Sequence, residues 1–317
     1  ANAARDMDIL RAALGDEKLN YMGKSYGTYM GTLYAQLFPN KVGRMVLDGA
    51  VDPTISDYES ILAQAVGFDG ALDAFIEDCQ KSEDCPLPSG LQPARDFFTN
   101  IYKSAAITPL PQRKPNKGDD RVATESILVI GTASALYDSV DGWPQLRQAV
   151  VEAKEGYSDT FIKLLDQYTG RQPDGIFSDN EFDAGAVIDC LDNPASRTPE
   201  QVMADAATIT EQAPIFGPYV AFANLTCSLF PKAADHVTVK NKIQTPQPII
   251  VIGTTRDPAT PYKWAQALHG ILTNSQLLTY NGDGHTGQGR GNACIDGAID
   301  AFYLRGTLPK ANLSCTL

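Results

Sequence analysis

The chain has 317 residues, of which 43% are hydrophobic and 20% charged, and its formal net charge is -12. This composition is ordinary for a globular protein that can bury a sizeable core. The acidic balance argues against nucleic acid and anionic membranes as partners, because both attract basic surfaces. No apolar run approaches the roughly 20 residues of a membrane-spanning helix, so no membrane span is expected.

The pattern of apolar residues in the first 53 positions predicts alternating helices and strands. Apolar residues at helical spacing mark Ala3 to Leu14 and Tyr26 to Phe38 as helices. Leu19 to Met22 and Val42 to Leu47 are short and apolar, which is typical of strands. A strand, a helix and a second strand parallel to the first form a right-handed crossover unit. The segment therefore predicts an α/β fold with a mostly parallel sheet.

A serine flanked by glycines stands where the first strand meets the second helix. The pattern is Gly23-Lys24-Ser25-Tyr26-Gly27. It is typical of a nucleophile elbow, a sharp turn that projects the serine hydroxyl out of the sheet. Small residues are needed on both sides because a side chain there would collide with the neighbouring strand or helix. The alternative is an ordinary tight turn with an exposed serine.

Residues 54–240 predict helices joined by irregular connections, with little that is typical of a strand. We interpret this block as a helical lid domain inserted into the sheet domain. The core would then consist of residues 1–53 and 241–317.

The sheet domain resumes with Pro248 to Gly253, a continuous apolar run typical of a strand buried on both faces. Ser275 to Tyr280 predicts one more strand. Tyr262 to Leu272 and Ala293 to Leu304 predict helices that follow these strands. A polar loop follows each strand directly. Both loops are where side chains that cooperate with an elbow serine are expected.

Those loops supply an acid and a histidine in the order that an elbow serine requires. A serine hydroxyl is a poor nucleophile unless a base takes its proton and a third group holds that base. We therefore predict Ser25 as nucleophile, His285 as general base and Asp257 as the residue that orients the imidazole. Asp283 is a competing acid, but it lies in the same loop as the histidine. The main-chain N–H of Tyr26 is the predicted oxyanion donor.

The chain contains six cysteines and no C-x-x-C motif. An even number with few histidines favours disulfides in an oxidising compartment over a zinc site, so neither metal nor cofactor is expected. Buried free thiols in a cytosolic enzyme are the alternative, and spacing alone allows many pairings. The pairs that we expect are Cys79–Cys85, Cys190–Cys227 and Cys294–Cys315.

The motifs together resemble the secreted tripeptidyl aminopeptidases of actinobacteria, a branch of the α/β-hydrolases related to the prolyl iminopeptidases. The segments that carry the resemblance are Ala3 to Asp8, Gly23 to Tyr29, Val46 to Gly49, Cys190 to Asp192, Cys227 to Pro231, Arg256 to Pro261, Gly282 to Thr286, and the tail from Cys294 to Cys315. The resemblance implies an α/β-hydrolase core. It also implies release of short peptides, tripeptides above all, from free N-termini through an acyl-enzyme, and a secreted or extracellular location, with cell-wall association as a further option.

The resemblance also implies a segment in front of the elbow. In this fold several strands precede the elbow, and a loop among them supplies part of the oxyanion hole. This sequence has no room for them, so we expect the N-terminal strands of the core to be absent from this chain. Besides the peptide substrate, the expected partner is therefore the protein's own N-terminal fragment, which would complete the core and supply the second oxyanion donor.

An aminopeptidase must recognise a protonated amine, which a carboxylate does well through charge-assisted hydrogen bonds. The lid domain is where such a carboxylate is expected. Asp192 is the candidate because its neighbourhood matches the family. A surface carboxylate without this role is the alternative.

Two other functions remain open at this level. The same triad on the same fold serves esterases and lipases, so an ester could be the substrate. A non-catalytic hydrolase-like binding module is a third option, but binding alone requires none of Ser25, Asp257 and His285.

Overall fold

A computed structural model describes residues 1–116, 118–193, 197–230, 233 and 235–316. Pro231, at the end of one of the segments that carry the family resemblance, lies outside the described residues. The chain divides into two compact units, which are Ala1–Ser56 with Ala233–Leu317, and Asp57–Lys232. The first contains the sheet, and the second is helical in its described part.

The sheet of the first unit has five strands within the described residues, and they lie side by side in chain order. Every neighbouring pair is parallel. The strands are β1 (Leu19–Lys24), β2 (Val42–Asp48), β3 (Ile249–Arg256), β4 (Ser275–Asp283) and β5 (Ser314–Thr316). The expected α/β-hydrolase core with a mostly parallel sheet is confirmed.

Helices connect the strands and form the second unit. In chain order the described helices are α1 (Asn2–Ala13), α2 (Tyr26–Leu37), α3 (Asp57–Cys79), α4 (Leu91–Ile107), α5 (Glu125–Leu136), α6 (Gly142–Lys154), α7 (Asp159–Thr169), α8 (Glu181–Asp192), α9 (Pro199–Gln212), α10 (Gly217–Val220), α11 (Tyr262–Ile271) and α12 (Ala293–Arg305). Among the described residues, no helix is long and apolar enough to cross a membrane.

The apolar run of β3 explains why the sheet is covered on both faces. Successive side chains of a strand point to opposite faces. Ile249 and Val251 accordingly pack among residues of α1, α2 and α11. Ile250 and Ile252 pack on the other face, among residues of α12. A strand buried on both faces must be apolar throughout, which is the pattern that β3 shows.

The strands run further toward the carboxyl edge of the sheet than their apolar residues indicate. The ladder between β3 and β4 continues to the pair Arg256 and Asp283, beyond the last apolar residue of either strand. Main-chain hydrogen bonds hold these polar residues in strand geometry. Three-residue β5 was not predicted at all, because a strand this short has no periodicity to detect.

The boundary of the helical unit differs from the expected 54–240. Within residues 233–240, Val239 is buried in the core of the first unit. The side-chain amide of Gln36 in α2 accepts a hydrogen bond from the Lys240 N–H at 2.7 Å and donates to the Thr238 carbonyl at 3.1 Å. The segment therefore belongs to the sheet unit, where Val237 also packs against the core and Asp235 pairs with Arg5 of α1 at 2.6 Å.

Aromatic packing forms part of the core of the helical unit. Phe75 of α3 meets both Phe98 of α4 and Trp143 of α6 edge to face. The buried carboxylate of Asp69 in α3 accepts the N–H of Phe216 at 2.9 Å and pairs with Arg95 at 2.9 Å. These contacts join helices that are distant in sequence.

The cysteine pairs expected from the sequence are the ones that the structure joins, namely Cys79–Cys85, Cys190–Cys227 and Cys294–Cys315. The Cys190–Cys227 bond is the one that involves helix α8. Cys190 is the buried residue of α8, whose other residues are exposed or half-buried. Besides the contact between the Phe182 and Tyr168 rings, we infer that the disulfide attaches α8 to the rest of the unit.

We expect the double variant Cys190→Ala, Cys227→Ala to release α8. Loss of the 37-residue closure should cost about 4 kcal/mol in the chain-entropy estimate. Hydrogen exchange should become fast at the amides of α8, while those of β3 stay protected. The matched control is Cys79→Ala, Cys85→Ala, which opens a closure of six residues and should leave α8 unchanged. Retained protection of α8 in the first variant would contradict this account.

Candidate active site

The turn between β1 and α2 forces Ser25 into a backbone conformation that L-residues rarely adopt, with φ 54° and ψ -123°. Such strain persists only where surrounding contacts hold it. The Ser25 N–H donates to the Asp48 carbonyl at 2.9 Å. The Ser25 carbonyl accepts the Thr28 N–H at 2.9 Å and the Thr28 hydroxyl at 2.7 Å. The turn is therefore clamped on both sides of the serine.

The flanking glycines are required by close backbone approach. A Cβ at Gly23 would stand 2.4 Å from the carbonyl oxygen of Gly27, a backbone atom that cannot move aside. A Cβ at Gly27 would stand 3.1 Å from the Tyr21 hydroxyl, which donates to the Gly27 carbonyl at 2.8 Å. The local geometry is that of a nucleophile elbow, and it explains the glycine-serine-glycine pattern.

An acid and a base meet in the loops after β3 and β4. His285 Nδ1 lies 3.0 Å from each carboxylate oxygen of Asp257. Because an ionised carboxylate only accepts hydrogen bonds, Nδ1 carries the proton and Nε2 is left as the basic nitrogen. This is the tautomer that a general base needs.

Asp257 is buried, and several donors hold its carboxylate in place. Oδ1 accepts the N–H groups of Ala259 at 2.9 Å and Thr260 at 2.8 Å. Oδ2 accepts the Thr260 hydroxyl at 3.0 Å and the Thr286 N–H at 3.1 Å. These bonds fix the direction in which the carboxylate faces the imidazole.

The competing acid, Asp283, is engaged elsewhere. Its carboxylate makes a two-pronged ion pair with the Arg256 guanidinium, with Nη2 to Oδ2 at 2.7 Å. The pair joins the ends of β3 and β4. The imidazole of His285 pairs with Asp257 instead, as predicted from the position of Asp283 in the same loop as the histidine.

The elbow and the acid–base pair lie at the same edge of the sheet. Asp48, whose carbonyl binds the Ser25 N–H, is the last residue of β2. The next residue, Gly49, lies against the imidazole, since a Cβ there would stand 3.2 Å from His285 Cε1. The structure thus brings the three predicted residues to one end of the sheet, on either side of the end of β2.

Two contacts in this site were not predicted. The Thr260 hydroxyl lies 3.3 Å from His285 Nδ1 as well as bonding to Asp257. Gly49 has φ 65°, and any side chain there would press on Thr286, Thr260 and His285. The signal for Gly49 was its place directly after a strand. Nothing in the sequence alone singles out Thr260 within its loop.

The remaining predicted residues stay predictions. Tyr26 is the first residue of α2, so its N–H lies at the helix N-terminus beside the elbow. Asp192 is the last residue of α8 in the helical unit and is half-buried. Among the described residues, no group of three or more His, Cys, Asp or Glu side chains could hold a metal ion.

The parallel sheet, the strained serine turn and the loops after β3 and β4 are the features of an α/β-hydrolase fold. Residues 213–315 match the α/β-hydrolase family model described as "TAP-like protein". The predicted resemblance to the tripeptidyl aminopeptidases is thereby confirmed over this part of the chain.

Curated relatives align with 99% of the chain. Identity is 36% to "Serine protease Hip1" and 37% to "Carboxylesterase B", both from Mycobacterium tuberculosis, covering 61% and 60% of those proteins. It is 29% to "Tripeptidyl aminopeptidase" from Streptomyces lividans, covering 57% of that protein. The chain therefore spans about three fifths of the length of these relatives.

Among solved structures, a match is MGS-M2, an alpha/beta hydrolase enzyme from a deep-sea metagenome library. The alignment has a TM-score of 0.37 and 14% identity, and it covers 97% of this chain and 72% of that chain. A similarity this low adds nothing to the argument for function.

We expect Asp257→Asn to lower kcat by roughly 1,000- to 10,000-fold, because an amide can turn its NH₂ toward Nδ1 and stabilise the wrong tautomer. The matched control is Asp283→Asn, which changes the neighbouring acid and should alter kcat by less than about tenfold, since it removes only a partly exposed ion pair. Steady-state rates on folded protein check both variants. A larger loss in Asp283→Asn would make Asp283 the orienting acid.

Proposed function

We propose that the protein is a serine exopeptidase that releases short peptides, tripeptides above all, from free N-termini. The observation that carries the proposal is the Asp257–His285 contact at 3.0 Å, at the sheet edge where the strained turn presents Ser25. The relatives named serine protease and tripeptidyl aminopeptidase support a peptide substrate.

In the proposed mechanism Ser25 Oγ attacks the carbonyl carbon of the scissile bond while His285 Nε2 takes its proton. Asp257 keeps the Nδ1 proton in place and stabilises the imidazolium that forms. The Tyr26 N–H donates to the oxyanion at the α2 N-terminus, where developing negative charge is favoured. The imidazolium then protonates the leaving amine. Water, deprotonated by the same imidazole, hydrolyses the acyl-enzyme and frees the short peptide.

Selection of free N-termini requires a group that recognises an ammonium ion. We propose Asp192 for this role, through a carboxylate-to-ammonium contact. The relative named tripeptidyl aminopeptidase supports a substrate with a free amino terminus. Acetylation of the substrate amine would remove its charge and therefore its attraction to the carboxylate.

A further polypeptide segment would complete the core beside β1, which lies at one edge of the sheet. Tyr21 and Met22 of this strand are half-buried, and the apolar side chains of Ile9 and Leu10 in α1 and of Leu14 just after it are exposed. An apolar edge strand beside an apolar helix surface favours pairing with another segment. We propose that an N-terminal segment of the protein covers this edge and supplies the second oxyanion donor.

We propose that the protein acts outside the cytosol. Three disulfides form among the six cysteines of the chain. Such bonds persist in oxidising compartments and are rare in the cytosol.

Ester hydrolysis is the second candidate, and the relative named carboxylesterase B favours it. The same nucleophile, base and oxyanion donor would hydrolyse an ester, whose alkoxide leaves more readily than an amine. The two functions differ in what recognises the substrate, not in the triad.

A set of chromogenic substrates separates the two candidates. We expect the purified protein to cleave tripeptide p-nitroanilides with a free amine, and N-acetylation to lower kcat/KM by about 100-fold, the value of a lost charge-assisted contact. Short acyl p-nitrophenyl esters are the comparison, and Ser25→Ala controls for contaminating hydrolases. Preference for esters together with indifference to acetylation would reject the aminopeptidase. Unchanged turnover by Ser25→Ala would reject both candidates.

A separate variant tests the amine site. Asp192→Asn should raise KM for the free tripeptide anilide while leaving the acetylated substrate unchanged, because only the charged amine gains from the carboxylate. Asp189→Asn, on the same helix and exposed, is the matched control and should change neither substrate. Equal effects of Asp192→Asn on both substrates would remove Asp192 from the site.

A further inference from the structure

A buried carboxylate outside the predicted triad touches the loop that carries the base. Asp48, at the end of β2, is 0% exposed. Its Oδ1 accepts the Gly287 N–H at 2.9 Å, and its Oδ2 accepts the Gln288 N–H at 2.8 Å. These donors are the second and third residues after His285. The contact joins β2 to the loop after β4, across 239 positions of sequence.

The same residue also holds the nucleophile. The carbonyl of Asp48 accepts the Ser25 N–H at 2.9 Å, so its main chain supports the elbow while its side chain supports the base. Beside it, Lys24 Nζ donates to the Gln288 carbonyl at 2.9 Å. The ends of β1 and β2 therefore both bind the loop after His285, β1 through the Lys24 ammonium and β2 through the Asp48 carboxylate.

The loop needs this support because its backbone is strained. Thr286 has φ 68°, which is unusual for a residue with a branched side chain. The consecutive N–H groups of Thr286, Gly287 and Gln288 are shared between two carboxylates, the first bonding to Asp257 and the other two to Asp48. A loop with three aligned donors would otherwise leave them unsatisfied in a buried place.

A carboxylate suits this place better than an amide. Both oxygens of Asp48 face N–H donors, whereas an asparagine would turn its NH₂ against one of them. Burial raises the pKa of Asp48, and the N–H groups of Gln288 and Gly287 oppose that rise by stabilising the charged form. Burying a carboxylate costs free energy, whereas an apolar side chain could fill the same space without that cost. The carboxylate is therefore explained by its hydrogen bonds to the loop and not by packing alone.

We propose that Asp48, assisted by Lys24, is a positioning residue that sets the separation between the Ser25 hydroxyl and the His285 imidazole. The proposal rests on the proposed function, since it assigns a task within the same site. Asp48 does not touch the substrate. It fixes the loop on which the base is mounted to the strand end on which the nucleophile turn is anchored.

The test compares Asp48→Asn with Asp69→Asn. Asp69 is the matched control because it is also buried and also accepts two main-chain N–H groups, from Ile215 and Phe216, but in the helical unit. Each variant is assayed with the best anilide or ester substrate. The readouts are kcat, KM, the rate of inactivation by a fluorophosphonate, and the thermal midpoint.

Asp48→Asn should lower kcat by roughly 100-fold, the cost of a misplacement of about 1 Å, with KM changed by less than about threefold. Inactivation by the fluorophosphonate should slow in parallel, because it also needs the base to activate the serine. Asp69→Asn should lower the thermal midpoint while kcat per titratable site stays within about twofold of the parent. A merely structural role for Asp48 predicts the second pattern for both variants and would overturn the proposal.

Lys24→Met gives a second arm that does not depend on Asp48→Asn folding, since Lys24 is exposed. Lys24→Met should lower kcat severalfold without raising KM. An unchanged kcat would contradict the proposed role of Lys24 in positioning the loop after His285. Ser25→Ala and His285→Ala distinguish a failure of the proposed function from a failure of the positioning role. If either retains full activity, the proposed function fails. If both are inactive while Asp48→Asn and Lys24→Met match the parent enzyme, only the positioning role fails.

Discussion

The parallel alignment of β1, β2 and β3 is the constraint on which the site depends. Lys24, the last residue of β1, pairs with Asp48, the last residue of β2, and Asp48 pairs with Ile252 of β3, which continues to Arg256. Parallel strands all present their carboxyl ends at one edge, where the loops that follow them meet. The register of the strands thus brings residues that are far apart in sequence close together at this edge. A shift of one residue in this register would turn the strand side chains to the opposite faces and displace the loops.

The residues most easily predicted are those whose role is visible in local sequence. Ser25 is marked by its flanking glycines, and Asp257 and His285 are marked by their places directly after strands. The register then brings their loops together, and the contact between acid and base follows. The helices of the sheet unit and its strands β1 to β4 were likewise predictable, because burial on one or both faces leaves a regular apolar pattern.

The residues that were missed act through distant contacts. Asp48 bonds to a loop more than 200 positions away, and although its segment carries the family resemblance, nothing local shows which residues its side chain meets. Thr260 gains its role only because the loop folds back on Asp257. The boundary at 233–240 depends on Gln36, which no local pattern links to that segment. Sequence periodicity reports burial, whereas these roles depend on which polar groups happen to face each other across the sheet.

The short strand β5 has a consequence for where the protein can persist. Three residues supply too few main-chain hydrogen bonds to keep a strand in place, and the Cys294–Cys315 bond to α12 compensates for that weakness. Opening this bond would let the tail peel away and uncover the outer edge of β4, whose free N–H and C=O groups can recruit strands from other molecules. Exposure to a reducing environment would therefore threaten solubility before it disturbed the proposed triad.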